Sequence, residues 1–277
     1  MPSHVILGKI FSILSGIFII SAYALGSAGA LLSGPQLAVF LKGGASLFLI
    51  LCAGYLMNDL CDREYDAVNR PGAGFAARLA RGPAAAAVAA LFAAGLGAAF
   101  FVNGWFAAVA LPLTAGLVLY NLYSKRLGVF KPAAISLIVA SIYPLALALT
   151  SGGASSPRRD SLFIFPAWFF LEIMAYEIMR DVIDLPGDRA GGGSTLPLKI
   201  GPARARRLAA GLALAGVPVA LLPYALGMCG PVYLGGALAA AACLLAGLRG
   251  SDAAFSKLIF ANILLVAFSS LADLYLG

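Results

Sequence analysis

Charge is scarce in this chain. Asp, Glu, Lys and Arg supply 11% of its 277 residues and hydrophobic residues 61%, which excludes an ordinary soluble domain, where about a quarter of residues are charged. Histidine is scarcer still: the only one, His4, sits in the N-terminal tail and is incidental rather than a catalytic base. The four cysteines, Cys52, Cys61, Cys229 and Cys243, show no CxxC or other metal-ligand spacing, so they are read as packing residues. A cleavable leader is not expected either, because the first apolar segment runs on with no A-x-A site and no polar break.

The chain is rich instead in apolar segments long enough to cross a bilayer, roughly 17 to 25 residues each. Nine are predicted, near 10–32, 36–57, 84–102, 104–123, 132–150, 162–180, 208–226, 230–248 and 256–276, the third and fourth parted only by the turn signal Asn103-Gly104. The fold class is therefore all-α integral membrane, a nine-transmembrane-helix bundle read as one domain over 1–277. A net charge of +7 would suit a nucleic-acid binder, but its distribution points elsewhere. With nine spans and the N-terminus inside, 16 of the 19 Lys and Arg residues fall on one side, leaving Arg158 and Arg159 opposite and Lys42 within a helix. This is the positive-inside asymmetry. The basicity sets topology, no nucleic acid is called for, and the expected location is a prokaryotic cytoplasmic membrane with the N-terminus cytoplasmic.

The stretch NDLCDREYDAVNRP closes the second apolar segment with acids. Asp59, Asp62 and Asp66 are spaced by three and four, so a helix running through them puts all three carboxylates on one face. Asp181, Asp184 and Asp188 repeat the spacing after the sixth segment, each 122 residues beyond its counterpart. The constant offset suggests an internal repeat, a hypothesis that superposing the two halves tests. With Glu64 and Glu177, eight of the twelve acids lie in these stretches. Four crossings separate the clusters, so both come to one cytoplasmic rim. Helix capping or pairing with Arg63, Arg70, Arg180 or Arg189 is the competing reading for either cluster alone, and two identically spaced clusters on one face weaken it further. Six like charges there repel unless cations neutralise them. All-oxygen ligands suit Mg2+ shared with a phosphorylated substrate.

These residues resemble the UbiA-type intramembrane prenyltransferases, which carry NxxxDxxxD after the second helix and DxxxD after the sixth of a nine-helix bundle. Here the first motif reads Asn58, Asp62, Asp66, with Asp59 beside them and Asn69-Arg70-Pro71 following. The second reads Asp184, Asp188, Gly192, with Asp181 one turn earlier. The resemblance covers the whole chain. It implies metal ligands at Asn58, Asp59, Asp62, Asp66, Asp181, Asp184 and Asp188 for two Mg2+ ions, with Asp62, Asp66, Asp184 and Asp188 essential to catalysis. The segment YNLYSKRLGVFKP is similar to the family loop that supplies a lysine to the substrate diphosphate. Lys125 is the expected catalytic cation and Arg126 the second, with Asn58 and Arg70 also toward the diphosphate; the competing reading takes Lys125, Arg126 and Lys131 as topology signals, and Tyr120 reads as interfacial packing. The chain departs from the family where GAGFAARLARG replaces an RPLPSG-like loop and where Lys9 is the only cation at the first helix.

The implied reaction ionises an isoprenyl diphosphate and joins its allylic carbon to a lipophilic acceptor. It would take place in a central cavity that opens to the cytoplasmic rim and laterally to membrane lipid. Carboxylate-held magnesium and Lys125 would stabilise the growing charge on the leaving group, and the apolar cavity would shelter the allylic cation from water. A hydroxylated aromatic or related ring compound is the expected acceptor, with prenylation of a glycerol-phosphate ether lipid as the alternative. From another class, intramembrane acids also suit a cation-coupled transporter, which uptake into vesicles without product formation would reveal.

Overall fold

The computed structural model of the protein describes residues 16–28, 34–64, 68, 80–150 and 156–276, with the backbone alone at Lys125. No strand occurs among them. Every backbone N–H and C=O in the hydrocarbon layer needs a partner inside the chain, and helices supply it. Eight helices are long and apolar enough to cross: α2 Gly34–Cys61, α3 Arg81–Phe100, α4 Gly104–Tyr123, α5 Gly128–Leu149, α6 Pro157–Ile183, α7 Pro202–Ala225, α8 Pro231–Leu248 and α9 Asp252–Leu276. A shorter helix, α1 Gly16–Ser27, is the described part of the first predicted segment. Consecutive helices alternate in direction, so the ends of α2, α4, α6 and α8 share one rim with the starts of α3, α5, α7 and α9.

Prolines mark where helices begin and where one breaks. Pro202 and Pro231 stand in the first turns of α7 and α8, and Pro166 in the first turn of the long segment Phe165–Ile183 of α6, where the missing N–H costs nothing. Pro144 cannot donate to Ala140 and its ring crowds that carbonyl, so α5 is interrupted at Ser141 and resumes as Ile142–Leu149. The interruption sets Tyr143, which is 4% exposed, into the interior.

Two apolar cores result. One joins Leu47 and Ile50 of α2 to Phe92 of α3, Phe106 and Leu117 of α4 and Leu145 of α5. The other gathers Trp168 and Phe169 of α6, Tyr233 of α8, and Phe255 and Ile259 of α9. Helices α1 and α5 send residues into both. Close approaches rest on small residues. The Ser46 hydroxyl donates to the Gly95 carbonyl at 2.7 Å, and a Cβ at Gly95 would lie 3.1 Å from backbone atoms of Ile50 and Ser46.

The rim away from the acids is tied by Asp273, which has no exposed surface. Its carboxylate accepts from Arg158 at 2.5 Å and from the backbone N–H groups of Gly230 and Tyr233 at 2.7 and 3.2 Å. An α9 acid thus caps α8 and anchors the start of α6. Cys229 packs beside Tyr23 there, and burial raises its thiol above the usual range. Cys61, expected to pack, is exposed, because α2 carries it past the apolar layer on a charged turn.

Candidate active site

Helix α2 continues through Asn58 and Asp59 to Cys61, and the Asp62 N–H still donates to the Asn58 carbonyl at 2.8 Å. One turn apart, the Asn58 amide donates to the Asp62 carboxylate at 3.1 Å, so Asn58 orients Asp62. Asp66, Arg70 and Arg78 lie outside the described residues. Glu64 meets Arg81 at 3.5 Å with both side chains largely exposed, a pair worth little in water.

Helix α6 ends at Ile183. Asp184 follows with its N–H on the Arg180 carbonyl, and its carboxylate lies 3.5 Å from the Arg180 guanidinium. Pro186 then opens a short helix, Leu185–Ala190, that carries Asp188. The glycine run turns the chain back on that acid. Gly192 has φ +69°, which favours glycine, and Gly193 donates to the Asp188 carbonyl at 2.8 Å. Asp181 and Asp188 are each 2% exposed.

The two clusters converge around two tyrosines. Tyr120 of α4 is within electrostatic reach of Asp62 from the first cluster and of Glu177, Lys131 and Asp181 from the second. Tyr55 of α2 is within reach of Glu177 and Asp59. The crossing count therefore brought the right ends together. Among the described residues no three carboxylates close around one point. The donors present are nonetheless all oxygen, from carboxylates on two facing helix ends, and that chemistry fits a hard divalent cation.

The basic residues sort differently from the sequence expectation. Lys125 occupies a 3-10 turn, Ser124–Arg126. Arg126 is exposed, its guanidinium 5.8 Å from the centre of the Tyr123 ring, and no ion pair joins it to an acid among the described residues. Lys131, read as a topology signal, turns inward at the start of α5 and donates to Asp181 at 2.5 Å, with side-chain exposures of 14% and 3%. A left-handed Gly128, φ +56°, sets up that approach. A Cβ there would stand 3.2 Å from the Ser194 hydroxyl and 3.7 Å from Lys199 Nζ, placing Lys199 at the same rim.

Beneath the acids a cavity of about 320 Å³ descends between the two cores. Its mouth carries Asn58, Tyr55, Tyr120, Asn121, Tyr176 and Glu177; its body is apolar, including Leu51, Leu113, Ile138, Ile173 and Leu264. Tyr120, expected in interfacial packing, is 8% exposed and lines this wall. Glu177, in the sequence only one more acid of the cluster, stands at this mouth. Its place one turn before Asp181 was the available signal, since residues four apart share a helix face.

A family model described as the UbiA prenyltransferase family matches residues 15–268. The digeranylgeranylglyceryl phosphate synthase of Natronomonas pharaonis is 34% identical over 221 residues, covering 79% of this chain and 76% of that protein. Among solved structures, the apo UbiA homologue of Aeropyrum pernix K1 superposes with a TM-score of 0.72 at 17% identity, covering 95% and 98% of the two chains. The Archaeoglobus fulgidus UbiA homologue bound to DMAPP and Mg2+ superposes with a TM-score of 0.63 at 17% identity, covering 97% and 100%.

Proposed function

The chain belongs to the UbiA prenyltransferase family and is an intramembrane prenyltransferase, and from that premise we propose that it transfers an isoprenyl chain from its diphosphate to a glycerol-phosphate ether lipid. The observation that carries the transfer is the apolar cavity opening beneath two facing carboxylate clusters. The tail of the donor occupies the cavity and its diphosphate lies at the rim. The allylic carbon–oxygen bond to the diphosphate breaks, the acceptor hydroxyl oxygen bonds to that carbon, and the hydroxyl proton is released. Magnesium, when bound, stabilises the charge left on the departing diphosphate. Asp62, Asp66, Asp184 and Asp188 would hold it, and Asn58 would keep Asp62 aimed. The A. fulgidus homologue's ligands, DMAPP and Mg2+, support this reading.

Lys131 joins Lys125 as a candidate cation for the leaving group, because it already lies against the second cluster. Asp181 is accordingly assigned to holding Lys131 before any role as a metal ligand. The cavity walls exclude water from the allylic cation. The acidic rim is taken as cytoplasmic from the basic residues around it; a reporter fused at Gly277 that reads cytoplasmic would reverse this.

For the acceptor, the name of the N. pharaonis relative supports the ether lipid over the hydroxylated ring compound expected from sequence. A phosphate on the acceptor also suits the additional cations at this rim, Arg63, Arg81 and Lys199. The test is purified protein with Mg2+, labelled geranylgeranyl diphosphate, and a panel of a glycerol-phosphate monoether and hydroxylated aromatics. Label in a diether phosphate supports the proposal. Label only in an aromatic product would replace the acceptor, and uptake without product would favour a transporter.

A further inference from the structure

Tyr143 and Trp168 line the cavity away from the acids, and against them lies a second, small void. This void, about 10 Å³, is lined by Tyr23, Leu162, Phe165, Val266 and Ser270. It shares Ile19, Ile20, Tyr143, Trp168 and Ala267 with the main cavity. Tyr143 and Trp168 are 4% and 1% exposed and stand between the two spaces. We propose that Tyr143 and Trp168 form the floor that sets how long an isoprenyl chain this enzyme accepts, with Ala267 marking the passage beside them. This rests on the assignment of the cavity to the donor tail.

The floor is held in place from several sides. Phe169 packs edge-on to Tyr143 at 5.6 Å between ring centres and lies 5.9 Å from Trp168. Phe165 lies 6.2 and 6.4 Å from the two rings. Behind Trp168, helix α7 presents Gly216, where an added Cβ would lie 3.5 Å from the Trp168 ring and would strike the buried Glu172 carboxylate. Packed against Phe165 and Phe169, the two rings are held as a wall rather than a gate. Trp168 precedes Glu177 at the mouth by nine residues of α6, a depth of about 14 Å at the helical rise, or roughly half of the ~30 Å hydrocarbon layer.

The size of the obstruction decides the direction of the effect. Trimming Trp168 to alanine removes more atoms than one isoprene unit adds, and it joins the small void to the cavity. The acceptable chain should then lengthen by a unit. Filling the passage from α9 should do the reverse.

The experiment compares geranyl, farnesyl, geranylgeranyl and geranylfarnesyl diphosphates as donors for the wild type, Tyr143→Ala, Trp168→Ala, Trp168→Phe and Ala267→Phe. Two readouts are taken: kcat/KM for transfer, and thermal stabilisation by each diphosphate without acceptor. For the trimmed variants, the preference for a donor one unit longer than the wild-type optimum should rise at least about 10-fold, since even one methylene in an apolar pocket is worth that much. Ala267→Phe should shift the profile one unit shorter. Unchanged length profiles in folded Tyr143→Ala and Ala267→Phe would overturn the proposal. Should the alanine variants not fold, Ala267→Phe carries the test alone, and its unchanged profile overturns the floor. Stabilisation that follows chain length without any transfer would instead count against the proposed function and leave the floor supported.

Discussion

Asp181 and Asp188 expose only 2% of their surface, although one is a carboxylate in the last turn of an apolar helix and the other sits on the short helix that follows it. Burying such groups is expensive unless a cation compensates them. For Asp181 the cation is internal, Lys131 at 2.5 Å. Lys131→Met removes the ammonium that Asp181 accepts from and should cost about 3–5 kcal/mol of stability. Adding Asp181→Asn should recover most of that but not turnover, because the ammonium remains absent from the rim. Thermal unfolding and steady-state rates on the single and double variants separate the two effects; full recovery of turnover in the double variant would make Lys131 purely structural. For the remaining acids, Asp62→Asn, Asp66→Asn, Asp184→Asn and Asp188→Asn should each lower turnover by at least about 100-fold, the scale of losing a main transition-state stabiliser. Folding should survive, as size-exclusion profiles would report. Near-normal turnover in two of them at limiting Mg2+ would remove the shared-metal account. The acid spacing was legible in the sequence because helical geometry fixes which residues share a face. Which lysine faces the acids was not: Lys125, Arg126 and Lys131 fall within seven residues, and the choice depends on two 3-10 turns and a left-handed Gly128.

Among the elements, α2 and α3 show how small residues decide packing. Gly95→Ala places a methyl 3.1 Å from backbone atoms of Ile50 and Ser46, which cannot rotate away, so it should destabilise by about 1–3 kcal/mol. Gly97, two residues on, has nothing within 4 Å of such a methyl; Gly97→Ala should be neutral or stabilise by up to about 1 kcal/mol through helix propensity. Thermal unfolding of both variants checks the contrast, and equal melting temperatures would contradict it. The segments were legible from apolar length, but their ends were not. Helix α2 runs to Cys61 rather than 57 because its polar residues stay helical past the apolar layer. Helix α7 begins at Pro202 rather than 208, since Arg204, Arg206 and Arg207 make its first two turns charged. Arg206 there bonds Asp252 and the carbonyls of Leu248 and Gly250, tying α7 to the α8–α9 turn. Hydropathy sees only the part of a helix that lipid covers.

At the scale of the whole molecule, two apolar cores leave a cavity between them, and two acidic helix ends meet above it. The crossing count made the shared rim legible in the sequence. The cavity was not, because the same Ala and Gly content fits a solid bundle as well as a hollow one; its walls depend on side chains from five or more helices meeting in space. The claim joining fold to function is that this cavity holds the isoprenyl tail of the donor. It is tested most directly by photo-crosslinking with a geranylgeranyl diphosphate carrying a diazirine along its tail, followed by peptide mapping. The account predicts labels on cavity residues such as Leu51, Leu113, Ile138 and Ile173, suppressed by unlabelled donor. Labels confined to exposed residues such as Leu119, Leu137 and Phe268, and indifferent to competitor, would contradict it.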